Sequence, residues 1–84
     1  MVDINSKYII RKNQNNTILI DIKNNSDTIL FDGVGKVIID NISQKKEKVV
    51  KLITKKYSKV EINIIEKDYD EFIDKLIIEG IINE

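Results

Sequence analysis

Cysteine, histidine, proline and tryptophan are all missing from this 84-residue chain. Without cysteine there is no disulfide and no thiol nucleophile. Without cysteine and histidine the common zinc ligands and the imidazole general base disappear together. No basic segment followed by an apolar run opens the chain, and no apolar stretch approaches the ~20 residues of a membrane span. The expectation is a cytoplasmic protein without membrane contact. Abundant Ile, Lys and Asn against a single arginine, Arg11, matches an A+T-rich coding bias and carries no functional weight.

What is present begins with the stretch from Asn63 to Ile82. Ile65, Tyr69, Phe72, Ile73, Leu76 and Ile77 fall on one stripe at the α-helical period, which predicts a helix over about 64–79 with one buried face. Asn63 fits the N-cap, with Glu66 as the reciprocal member of a capping box. Gly80 fits the left-handed residue after the last turn, and Ile81 would fold back onto Leu76 in a Schellman ending. The exposed face is acidic.

Upstream, Tyr8–Lys12 and Thr17–Ile22 are β-rich runs separated by Asn13, Gln14, Asn15 and Asn16, which favour turns and tolerate positive φ. In the second run Ile18, Ile20 and Ile22 give a fully apolar face. Another polar turn, Lys23–Asp27, leads to a third strand near 28–31, so that three strands form an antiparallel meander with an open edge. Asp32 then suits the N-cap of a helix over about 33–42, buried through Val34, Val37, Ile38 and Ile42. Gly33 and Gly35 each cost a helix interior ~1 kcal/mol relative to Ala, so the first turn either frays or packs closely against another backbone. Ser43 is the expected cap of a helix over about 44–57, with Val49, Val50, Ile53 and Tyr57 inward. The fold class that results is α+β and winged helix-turn-helix-like: a three-stranded antiparallel meander followed by three helices, in one domain spanning 1–84.

Charge is balanced overall but not locally. Residues 43–60 hold seven Lys and one Glu, for +6, whereas residues 61–84 hold eight acids and two Lys, for −6. The plain reading is two neighbouring helices with solvated, mutually attracting outer faces. The functional reading is a docking face for a charged partner protein.

The order and spacing of these pieces resemble the PqqD-like family, the precursor peptide recognition element of ribosomally made, modified peptides. The resemblance covers roughly residues 17–82. It is carried by Phe31-Asp32 closing the third strand, by Gly35 and Ile38 three and six residues after Asp32, and by the second helix ending in Tyr57. Asp68, Phe72, Leu76 and Gly80-Ile81-Ile82 complete it. Two features depart from the pattern: Ser43-Gln44-Lys45-Lys46 stands in place of the usual Asp-Gly turn and Thr, and Gly33 adds a second glycine to the first helix. The resemblance implies a non-catalytic domain without cofactor or metal. It would bind the leader segment of a precursor peptide as an added strand and present it to a modifying enzyme, such as a radical SAM enzyme, a cyclase or a leader protease. The expected binding residues are Thr28, Ile29, Leu30, Phe31 and Asp32 on the strand, and Tyr69, Phe72, Ile73 and Leu76 on the last helix.

Two other classes compete. A winged helix-turn-helix protein would read DNA with the last helix, but that helix presents Asp70, Glu71, Asp74 and Lys75 where base readers present Arg, Lys, Asn or Gln, so no nucleic-acid partner is expected. A structural subunit would pair its free strand edge with a second copy in a homodimer. Glu66, Asp68, Asp70 and Glu71 suggest an acid–base or metal site, yet helical spacing spreads them around the helix and no glycine turn accompanies them.

Overall fold

The computed structural model describes residues 2–83. A two-residue strand, β1 (Asp3–Ile4), leads into β2 (Tyr8–Lys12), β3 (Asn16–Asp21) and β4 (Thr28–Asp32). The chain continues through α1 (Gly33–Asp40), α2 (Lys46–Lys56) and α3 (Ile62–Ile78) to a short final strand, β5 (Ile82–Asn83). β2, β3 and β4 form an antiparallel meander in that order, while β1 and β5 pair separately, Asp3 with Asn83 and Ile4 with Ile82. This second sheet was not foreseen, because two residues are too short a run to show any period. No helix among the described residues is long and apolar enough to cross a membrane.

The β2–β3 turn closes through a backbone and a side-chain hydrogen bond, without left-handed backbone. Asn13 donates its backbone N–H to the Asn16 carbonyl and its side-chain amide to Asn16 Oδ1, both at 2.8 Å. No non-glycine residue among those described has positive φ. β3 accordingly begins at Asn16, one residue earlier than expected. At its other end Asp21 Oδ1 accepts the backbone N–H groups of Lys23 and Asn24, which turns the chain toward β4 and leaves Ile22 outside the strand.

The register sets the faces. Lys12, Thr17 and Phe31 lie abreast, as do Ile10, Leu19 and Ile29. Thr17 and Leu19 point into the core, both 0% exposed, so the all-isoleucine face of β3 is turned away from the helices. Thr17 takes an inward position because α1 satisfies its hydroxyl. Thr17 Oγ1 donates to Asp40 Oδ1 at 2.6 Å and accepts from Lys36 Nζ at 3.2 Å, and Lys36 also binds Asp40 directly. A polar group satisfied in this way can be buried at little cost, which frees the isoleucines for the other face.

Helix boundaries move for identifiable reasons. α1 stops at Asp40, two residues short of the expected end, because Asn41 turns its side-chain amide back onto the Val37 carbonyl at 2.8 Å. Ser43 is not the cap of α2. Residues 41–44 form a turn in which Gln44 donates to the Asn41 carbonyl, and Lys45 occupies the cap position. Nor does Asn63 cap α3. The Glu61 carbonyl accepts the N–H groups of Ile64 and Ile65, placing Asn63 inside the first turn and dissolving the expected capping box. The other end follows the sequence reading: Gly80 has φ +72°, its N–H binds the Ile77 carbonyl, and the Ile81 N–H binds the Leu76 carbonyl at 2.9 Å. That pair of bonds is a Schellman ending.

The core is one cluster. Leu19 and Phe31 from the sheet meet Ile38 and Ile39 of α1, Val49, Val50 and Ile53 of α2, and Ile65, Tyr69 and Leu76 of α3. Ile39, buried as deeply as Ile38, lay off the expected stripe of α1.

Candidate functional site

β4 pairs with β3 on one side only, and among the described residues no strand lies along its other side. The ladder shows which residues face that open edge. Asp21 donates its N–H to the Asp27 carbonyl at 3.1 Å, making Asp21 and Asp27 a hydrogen-bonded pair. Antiparallel ladders alternate, so Leu19 with Ile29 and Thr17 with Phe31 are hydrogen-bonded pairs too. Thr28 and Leu30 therefore turn their backbone N–H and C=O groups outward, and Asp32 its N–H, its carbonyl belonging to the first turn of α1 as the N-cap. All three side chains are exposed, on the sheet face opposite the helices.

Ile29 and Phe31 point the other way, toward the helices. Phe31 is the link between the strand and α3: its ring meets that of Phe72 edge-to-face, with centroids 6.0 Å apart and planes at 74°. Both rings lie against Gly35, where a Cβ would stand 3.4 Å from Phe72 Cζ and 3.9 Å from Phe31 Cδ1. The glycine thus admits the Phe72 ring close to the α1 backbone. Gly33, with φ +53°, serves a different purpose, making the sharp entry from β4 into α1.

The remaining expected residues are distributed differently. Tyr69 and Ile73 occupy an adjacent ridge of α3 and line a cleft of about 430 Å³ with Val2, Ile42 and the turn between α1 and α2. Lys46 Nζ stands 6.0 Å from the centre of the Tyr69 ring and pairs with Asp70 at 3.0 Å. Burial, helped by the Asp70 charge, raises the pKa of the Tyr69 hydroxyl above its ordinary value. Leu76, 2% exposed, is a core residue. The structure therefore brings Phe31 and Phe72 together at the strand edge and sets Tyr69 and Ile73 on a neighbouring surface. Gly35, beneath the aromatic pair, served the sequence reading only as a motif position and a helix penalty; a glycine in the first turn of an amphipathic helix was the available signal.

The carboxylates of α3 do not converge. Asp70 pairs with Lys46, Glu71 lies 4.0 Å from Lys67, and Asp68 is exposed. What the arrangement offers is an unfilled hydrogen-bonding edge beside an aromatic pair.

No protein-family model matches the chain, and no curated protein matches it. Among solved structures the chain is similar to TbiB1 in complex with the TbiA(beta) leader peptide, at 19% sequence identity and a TM-score of 0.80, over 96% of this chain and 94% of that one. At that identity the likeness is one of fold.

Proposed function

We propose that this protein recognises the leader segment of a ribosomally synthesised precursor peptide by adding it as a strand to β4, and presents it to a modifying enzyme without doing chemistry itself. The observation that carries this reading is the open β4 edge tied to α3 through Phe31 and Phe72. Support comes from the PqqD-like motif order and from the fold shared with a protein whose structure holds a leader peptide. Backbone groups of Thr28, Leu30 and Asp32 would supply the ladder, which is indifferent to sequence, and side-chain pockets would supply selectivity. Because faces alternate along a strand, guest side chains of one parity would reach Phe31 and Phe72, and those of the other parity would lie beside Leu30 and Ile18. Tyr69 and Ile73 would extend the contact to a guest longer than the strand, while Leu76 would act from beneath by holding α3 in place. A radical SAM enzyme, a cyclase or a leader protease would each be a suitable recipient.

The test is a titration of labelled protein with the leader-like N-terminus of a short open reading frame beside its gene. Amide shifts from Thr28 to Asp32 and around Phe72 are expected. Unperturbed amides in both places at saturation would move the site elsewhere, and tight, steeply salt-dependent binding to duplex DNA would favour a nucleic-acid function instead.

A further inference from the structure

A cleft of about 490 Å³ lies between α2 and the first turns of α3, within the ~300–1,000 Å³ range of ligand clefts, and shares no residue with Phe31, Gly35 or Phe72. Val50 and Ile62 give it an apolar floor, Ile62 being 52% exposed. Thr54 adds no unmet polar demand, because its hydroxyl donates to the Val50 carbonyl at 2.8 Å. The α2 wall runs from Lys46 to Lys55, about 14 Å at 1.5 Å per residue. That length suits a stretch of polypeptide rather than a single small group.

The rim is charged, and of its three lysines only Lys46 is in an ion pair among the described residues. Neighbouring helices of +4 and −3 would be expected to pair along their length, yet among the described residues Lys46–Asp70 is the one ion pair between α2 and α3. Lys51 and Lys55, both on the rim, have no carboxylate within ion-pair distance among the described residues. Lys48 and Lys56 flank them, likewise unpaired and exposed. Glu47 and Glu66 also line the cleft. A continuous chain of phosphates would run against these two acids and gain nothing from the apolar floor. A polypeptide can instead set an apolar side chain on Val50 and Ile62 and place carboxylates only where Lys51 and Lys55 wait.

We infer that this cleft is a docking site for an acidic, amphipathic segment of a partner protein. Complementarity of this kind raises association rate and fixes orientation, while the apolar anchor supplies affinity. The inference does not depend on peptide binding at β4, and the two sites would be occupied together.

The experiment uses the full chain, isotope-labelled, and a synthetic amphipathic helical peptide with two leucines one turn apart and glutamates flanking them. Saturable amide shifts at Val50, Thr54 and Ile62 are expected, weakening as salt is raised. Lys51→Glu combined with Lys55→Glu should weaken binding about tenfold or more, with unchanged far-UV circular dichroism because both side chains are exposed. Ile62→Ser should weaken it as well, by removing the anchor without touching charge. Four outcomes would overturn the proposal: no saturable shift in the cleft, equal binding of a peptide with alanine in place of both leucines, tighter binding of duplex DNA, or self-association that fills the cleft with a second copy.

Discussion

Leu30 and Phe31 are adjacent in sequence and opposite in circumstance: Leu30 is 57% exposed on the outer face, and Phe31 is buried against Phe72. Removing the Phe72 ring would unsupport Phe31 and empty the space over Gly35. Phe72→Ala is therefore expected to lower stability by about 2 kcal/mol, below the range for a fully buried phenylalanine because this ring is only half-buried. Urea unfolding would measure it, and loss of leader binding in excess of that change, under conditions where the variant is folded, would mark the ring as a contact. Asp40 gives a pH prediction. Burial alone would raise its pKa, but hydrogen bonds from Lys36 and Thr17, with the Lys36 charge, outweigh this and hold it below the ordinary 3.8. Since the unfolded chain binds the proton more readily, this carboxylate's contribution is complete above 3.8 and is lost as pH falls through the lowered folded value. The urea midpoint should thus decline with acidification in that window, and Asp40→Asn should flatten that part of the profile.

At the level of elements, the alternation of the β4 ladder makes two neighbouring prolines behave differently. Leu30→Pro removes a donor from the open edge, where proline is tolerated, and should leave the fold intact while abolishing strand addition. Ile29→Pro removes a donor bonded to Leu19 and should unfold the sheet. Circular dichroism with peptide titration separates the two results; equal effects would show that the edge has been assigned to the wrong residues. Helices and the meander were legible because their signals are long: the α3 stripe and its Gly80 ending needed only periodicity and one glycine. Starts of α2 and α3 were not, since Ser43 and Asn63 have the right chemistry at positions that the backbone bonds of Gln44, Ile64 and Ile65 assign to a turn and a helix interior. The two faces of β3 were equally opaque. Ile18 and Ile20 look like core until Thr17 is seen to be satisfied by Asp40 and Lys36, a contact between residues far apart in sequence. The open edge was readable from strand order. The separation of Tyr69 and Ile73 onto another ridge required the tertiary placement of Val2 and Ile42.

For the whole molecule, the Cα atoms span 40 × 27 × 16 Å, a slab only one sheet and one helical layer deep. So thin a body has two broad faces and little interior, which is why isoleucines remain on the outer sheet surface and lysines along α2 remain without internal partners. The opposed charges of residues 43–60 and 61–84 thus contribute little to holding the fold. Raising salt is expected to leave the thermal midpoint nearly unchanged, as is usual where ion pairs are few and exposed. A large destabilisation on adding salt, seen by scanning calorimetry, would mean that the helices depend on their mutual attraction after all.

The bare margin of β4, flanked by Leu30 and the outward isoleucines of β3, also bears on how the protein must be handled. An unguarded strand with greasy neighbours invites copies of itself to stack into fibrils. Vials kept without a guest should turn cloudy sooner than vials kept with one, so the peptide would preserve its host for as long as it stays bound.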